Sequence, residues 1–320
     1  MSIETRVTRL LGIRYPIFSG AMAWISRAGL VSAVSEAGGL GVLAGATLRP
    51  EELVLEIRKV KAATARPFAV NLSLTPVHPE ADAKTAVTLA DLALDEGVGL
   101  FVTSAGSPAV LTEKLKKRGA KVIHVVPSAR LAKKAESAGV DAVVAEGYEA
   151  GGHVGHDEHT SVVLWPSVVR TVKVPVIAAG GIVDSAGMAA AFAFGAEGVQ
   201  LGTRIIATVE CDAHPSFKER VAHAEETPTA VYCKATHPGR ALKTPVIDKL
   251  LELERAGASA EELQRVRGRG RARAGCIDGD LSEGILPCGA AAGLVGPVVS
   301  VASVMRELVE GYAAARARMP

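Results

Sequence analysis

Residues 145–155 bring a glycine pair and a histidine together behind a short apolar run, 141–144. The order is Ala145, Glu146, Gly147, Tyr148, Glu149, Ala150, Gly151, Gly152, His153, Val154, Gly155. The apolar run reads as a buried strand, so its end delivers Glu146 and then the glycines to a rim. Gly151 and Gly152 have no Cβ, and a flat ligand can lie against such backbone. A histidine at the edge of that ligand can exchange a proton near neutral pH. A flat ring on glycine with a titrating side chain beside it suits a flavin and its substrate. The plain alternative is a Gly-rich surface loop with a solvated histidine.

The same stretch has a metal reading. His153, His156, Asp157, Glu158 and His159 form a dense run of ligand types, the set a metal-dependent hydrolase uses. Their spacing fits no single helix face, so the expectation is a solvated polar loop after His153 with no metal. Cys211, Cys233, Cys276 and Cys288 are scattered without a CxxC pair, which supports neither a zinc ribbon nor a redox motif. Cys288 is expected to be a small packed residue.

The elements that must position these groups alternate strand and helix. Apolar strands are expected at 16–18, 40–43, 67–71, 99–102, 121–125, 141–145, 174–179 and 198–201. Helices fall between them at 27–37, 50–63, 83–96, 108–118, 128–138, 165–172 and 185–194. Gly38, Gly97, Gly119, Gly139 and Gly195 stand where a left-handed C-cap belongs. Strands this apolar are buried on both faces, as in a parallel sheet. Eight units in about 200 residues, about 25 per step, predict an α/β fold of the (β/α)8 TIM-barrel kind. The runner-up, an open doubly wound sheet, normally shows GxGxxG after its first strand. Gly38, Gly39 and Gly41 do not follow a strand in that way.

After Gly202 the alternation stops. Residues 205–290 read as an added helical lobe, with polar helical stretches at 246–256 and 260–266 and no strand alternation. An apolar helix closes the chain at about 298–315. The expected division is a cofactor-binding barrel of residues 1–204 plus 291–320, and a lid over the substrate at 205–290.

In such a barrel the active-site residues sit at the C-terminal strand ends. Those ends carry Ser19, Gly20, Ala21 and Met22; Asn71; Ser104; His124; Glu146 with Gly151, Gly152 and His153; Gly180 and Gly181; and Gln200, Leu201, Gly202 and Thr203. The loops after strands seven and eight can turn backbone N–H groups and a hydroxyl toward an anion, a frequent phosphate site of this fold. With Asn71 to hydrogen-bond a ring, these loops point to FMN. His124 is open between a ligand-facing and a satisfied core histidine, and His214 and His237 are expected to be structural.

Composition bounds the partners. The chain has 320 residues, 48% hydrophobic and 22% charged, enough for a large core. A net charge of +2 indicates no strong electrostatic partner. The basic run 265–273 lacks aromatic interleaving and reads as a solvated tip, so no nucleic-acid partner is expected. No signal peptide and no bilayer-length apolar stretch is visible, and a cytoplasmic protein without a membrane partner is expected. The sequence does not fix the oligomeric state; a homodimer is the working expectation.

Taken together, several stretches resemble the nitronate monooxygenases, also called 2-nitropropane dioxygenase-like proteins, a group that includes flavin-dependent enoyl-acyl carrier protein reductases and NAD(P)H:quinone reductases. The matches are Tyr15 to Phe18 with Met22, Ala23 and Trp24; Glu36 to Gly41; Glu146 to Gly155; Ala178 to Ile182; and Gln200 to Thr203. The resemblance implies an FMN-bearing barrel under a helical lobe. It implies FMN contacts at Ala21, Met22, Asn71, Gly152, Gly180, Gly181, Gln200, Leu201, Gly202 and Thr203, and a catalytic role for His153. The substrate would be a small molecule, a nitronate oxidised with oxygen or an enoyl thioester reduced at the expense of NADH or NADPH. Two departures stand where substrate should meet flavin. Relatives with Met-Ala-Gly-Gln near the C-terminus differ from Pro287, Cys288, Gly289, Ala290 here, and Gln-Gly-Gly-Met is replaced by Ser19, Gly20, Ala21, Met22. On these departures nitronate oxidation, or a related NAD(P)H-linked flavin oxidoreduction, is favoured over enoyl reduction.

Overall fold

A computed structural model describes residues 3–75 and 84–318. Its strands are β1 (Ile17–Ser19), β2 (Gly41–Ala44), β3 (Phe68–Ser73), β4 (Leu100–Ser104), β5 (Lys121–Val126), β6 (Ala142–Glu146), β7 (Gly152–His153), β8 (Val176–Ala179), β9 (Gly198–Leu201), β10 (Thr229–Tyr232) and β11 (Gly239–Leu242). Eight of them form one parallel sheet in the order β1-β9-β8-β6-β5-β4-β3-β2. A parallel bridge between Phe18 and Leu40 brings the two ends together. The result is a (β/α)8 TIM barrel, as the alternation predicts. Between the strands lie α2 (Ala28–Glu36), α3 (Pro50–Ala63), α4 (Thr85–Asp95), α5 (Ala109–Lys117), α6 (Ala129–Ser137), α7 (Ser161–Thr171) and α8 (Ser185–Ala193). The start expected for α4, residue 83, lies outside the described residues. All five helix-ending glycines have positive φ, between +78° and +93°.

Successive side chains of a strand point to opposite faces, and the core divides accordingly. Phe18, Val42, Ala69, Val102, Ile123, Val144 and Ile177 form an inner cluster. Ile17, Leu43, Val70, Phe101, Val122, Val143, Ala178 and Val199 pack outward against the helices. A helix that the alternation leaves out, α1 (Arg6–Leu11), adds Val7 and Leu11 to the inner cluster. Its local signals are present in the sequence: Thr5 caps its start and Gly12 ends it at φ 68°.

The segment after Gly202 differs from the expectation of a purely helical lobe. It holds α9 (Thr203–Ile206), α10 (Pro215–Ala222), α11 (Pro245–Arg255), α12 (Ala260–Arg267) and a short α13 (Arg271–Arg273), but also the antiparallel pair β10 and β11. β11 in turn pairs with β7, so Gly239 faces His153 and Arg240 faces Gly152. Two four-residue strands are too short for a period of two to stand out, and their pairing is supplied by the glycine-histidine loop of the barrel. Tyr232, Cys233, Ala241, Val246, Ile247, Leu250, Leu263 and Ile285 give this region a core cluster of its own. The last helix, α14 (Val301–Ala317), returns to pack on α2 and α8.

Candidate active site

Strand parity decides which rim residues face the barrel axis. Asn71 shares the register of inward Ala69, Ser104 that of Val102, and Glu146 that of Val144. Gln200 lies between outward Val199 and Leu201 and so faces in. Ladder pairing puts Glu146 level with Ala179 and Ala179 level with Gln200. Four polar side chains therefore converge on one end of the barrel. Asn71 Nδ2 donates to the Val102 carbonyl and to Ser104 Oγ, both at 3.2 Å, bonds that do not engage its amide oxygen.

Three rim candidates fall on the other parity: His124, Leu201 and Ser19, which shares the register of outward Ile17 and whose Oγ accepts from the Val42 N–H at 3.0 Å. His124 lies between outward Val122 and Val126, and its Nδ1 is 2.8 Å from Thr103 Oγ1. Burial pushes its pKa down to about 4, so it is a neutral, satisfied core histidine. Leu201 is fully buried in the outer layer and offers a rim ligand only backbone.

Glu146 is half-buried at the end of β6, yet the surrounding protein strips enough water from its carboxyl to raise its pKa to about 7. A carboxyl that titrates near 7 when folded and near 4.5 when unfolded makes the folded chain hold the extra proton between those values. The stability it contributes is therefore present below about pH 4.5 and lost as pH rises through 7. Glu146→Gln is expected to raise the melting temperature of the ligand-free protein at pH 8 and to leave it unchanged at pH 4. Equal shifts at both pH values would refute the assignment.

The glycines have distinct jobs. A Cβ on Gly151 would stand 2.6 Å from the Cys288 carbonyl carbon and 2.7 Å from the Gly289 nitrogen, so this glycine admits protein backbone rather than a ligand. Gly152 has φ +82° and open space about its Cβ position. Gly180 has φ +98° and is hemmed by Ser161 and Gly147, whereas Gly202 again has open space and an ordinary φ of −112°.

A network unforeseen in the sequence ties these loops together. The Glu149 carboxylate accepts from the Ser161 N–H at 2.9 Å and from Ser161 Oγ at 2.9 Å, at the start of α7. Ser161 Oγ also reaches the Gly180 carbonyl at 2.9 Å. The Glu149 carbonyl accepts from Ala290 N–H at 2.8 Å, and Gly289 N–H donates to Thr203 Oγ1 at 2.9 Å. Gly180, Thr203, Gly289 and the loop leading to His153 thus form one connected rim. The Thr203 hydroxyl accepts in this contact, so its own O–H is not used by it. Cys288 is fully packed, and burial pushes its thiol up to about 12.

His153, on β7, is exposed. Its Nε2 lies 3.3 Å from an Arg267 guanidinium nitrogen, which can only donate. Desolvation by the surrounding protein, then Arg267 and His237, hold its pKa below the usual histidine value, in keeping with an Nε2 that accepts from Arg267. His237, expected to be structural, is thereby a neighbour of His153, while His214 caps α10 through Ser216. Arg267 has no local signal as a site residue: it stands 114 positions away in a run that reads as solvated. Among the described residues no group of three or more His, Cys, Asp or Glu side chains could hold a metal ion, and no helix is long and apolar enough to cross a membrane.

Comparison with known proteins agrees with this architecture. A family model described as nitronate monooxygenase matches residues 4–311. FabK from Thermotoga maritima superimposes with a TM-score of 0.91 at 40% identity, over 98% of this chain and 97% of that one. A (3aS,4S,5R,7aS)-5-hydroxy-7a-methyl-1-oxo-octahydro-1H-indene-4-carboxyl-CoA dehydrogenase of Mycobacterium tuberculosis is 38% identical over 268 residues, 82% of this chain and 73% of that protein. A probable nitronate monooxygenase of Staphylococcus saprophyticus is 33% identical over 293 residues, 79% of this chain and 82% of that protein. The barrel, its rim and these matches together establish that the chain belongs to the nitronate monooxygenase family, a family of oxidoreductases.

Proposed function

We propose that the chain is an FMN-dependent oxidoreductase acting on a nitronate at the C-terminal rim of its barrel, with oxygen as the final acceptor. The observation that carries the reading is His153: an imidazole whose Nε2 accepts from a neighbouring cation, on a glycine-bearing rim where inward polar side chains converge. FMN would supply the electron-accepting ring when bound. The residues present fit it. Gly152 and Gly202 leave room against backbone, and Gly180 and Gly181 adopt positive φ where a side chain would be strained. Asn71, Glu146 and Gln200 would hydrogen-bond the ring, Ala21 and Met22 would cover one side, and the backbone from Gly180 to Gly181 and from Leu201 to Thr203 would hold the phosphate. His153 would orient the substrate anion and carry its proton. Residues 1–204 with 291–320 form the cofactor-binding unit in this proposal, and 205–290 the lid.

The test of the cofactor is direct. Acid precipitation should release a yellow supernatant with the mass of FMN. Gly202→Asp adds an anion where a side chain has space and the backbone is not strained, so the fold should survive. Repulsion of the phosphate should cut FMN affinity at least tenfold, about 1.4 kcal/mol. FMN affinity within twofold of the parent would remove Gly202 from the phosphate site.

A second reading has its own support. The 38% identity to a carboxyl-CoA dehydrogenase favours an acyl thioester as substrate, with NADH or NADPH as electron donor or NAD(P)+ as acceptor. Oxygen uptake with a nitronate, set against NAD(P)H-linked turnover of an enoyl thioester, separates the two. Fast thioester turnover without nitronate-dependent oxygen uptake would overturn the first reading.

A further inference from the structure

The run 265–273 holds five arginines, and their surroundings differ. Arg271 is paired with Glu283, and Arg273 with Asp278 at 3.1 Å. Arg265 and Arg269 are exposed. Arg267 is half-buried at the end of α12, donates to His153 Nε2 at 3.3 Å, and lies over the Tyr232 ring at 5.9 Å from its centroid. Among the described residues no carboxylate pairs with it. The groups around His153 do not supply one either: Arg267 comes from α12, Tyr232 from β10 and His237 from the turn before β11. Arg240 of β11 is turned to the Tyr148 carbonyl at 3.1 Å.

A guanidinium has five donors in a planar fork, and the bond to His153 engages one of them. A half-buried cation with no carboxylate in ion-pair contact among the described residues, beside an imidazole whose Nε2 accepts from it, attracts an anion more strongly than a surface arginine does. Its geometry matches a planar group with two oxygens on one atom. We propose that Arg267 binds the anionic oxygens of the substrate's reacting group, so that the lid supplies the charge and the barrel rim the proton carrier. The proposal rests on the nitronate reading, since a thioester carries no charge at its reacting end for Arg267 to hold before reaction.

Nitrate, a planar oxyanion that cannot be turned over, is the probe. It should bind the purified protein, shift the ring resonances of His153, and compete with a nitronate. Arg267→Gln should weaken nitrate binding at least tenfold and raise KM for the nitronate more than it lowers kcat. In the same variant the titration midpoint of His153, followed by NMR of its ring, should move up. Arg267→Lys keeps the charge without the fork and should fall between; Arg269→Gln should match the parent. Should Arg267→Gln fail to fold, the lysine variant still decides, because a role confined to holding the lid would leave its nitrate affinity unchanged. No nitrate binding by the parent, or affinity within twofold in both Arg267 variants, would overturn the proposal. Absence of flavin or of nitronate turnover would instead sink the functional reading, and the nitrate titration would remain readable.

Discussion

Replacing His153 with alanine is expected to lower nitronate turnover at least a hundredfold while the protein keeps its fold and its flavin. General acid–base catalysis contributes about 10²–10⁴ in rate, roughly 3–5 kcal/mol of barrier. The structural cost is small by comparison. His153 is exposed, and among the described residues its one side-chain hydrogen-bond partner is Arg267 at 3.3 Å. Losing such a contact at a surface costs about 1 kcal/mol or less. Activity, flavin absorbance and melting temperature measured on one preparation separate the two effects. Turnover within twofold of the parent would remove His153 from the chemistry. A parallel fall in all three would make it a structural residue.

What could be read of this site from the sequence follows from the range of the interactions involved. The barrel strands are legible because they are short apolar runs and five of the helices between them end in a glycine. Both signals lie within a few residues of the element they mark. Parity then separates Asn71, Glu146 and Gln200 from Leu201 and His124, but only once register is known: a shift of one residue exchanges the two sets. The hairpin β10–β11 was hidden because four-residue strands carry no readable period, and half of its stabilising edge is Gly152–His153. Glu149 was visible within the motif, but its task of capping α7 depends on Ser161, twelve residues on, with no capping-box spacing. Arg267 was hidden for the opposite reason, since its chemistry looks like that of its four arginine neighbours and only the fold singles it out.

Gly151→Ala should cost both stability and activity, although it adds one methyl group to a loop. The added Cβ would meet backbone on the far side: the Cys288 carbonyl carbon at 2.6 Å, the Gly289 nitrogen at 2.7 Å and the Cys288 Cα at 2.8 Å. Backbone cannot swing aside as a flexible side chain can. The 288–289 segment is itself pinned by Gly289 N–H to Thr203 Oγ1 and by Ala290 N–H to the Glu149 carbonyl. Overpacking of this kind costs about 1–3 kcal/mol. What does move is the loop that carries His153 two residues later, and a displacement near 1 Å can cost about a hundredfold in rate. The neighbouring position supplies the contrast. Gly152 has open space but φ +82°, so Gly152→Ala meets no protein atom and bears the left-handed penalty of about 1–2 kcal/mol, with any crowding of a flavin read separately as a loss of FMN affinity. Comparable stability losses with a much larger fall in kcat for Gly151→Ala are therefore expected, read from denaturant unfolding and steady-state rates. If the two variants lose activity equally, close packing on Cys288 is not what positions the histidine, and the backbone conformation of the glycine pair takes over that role.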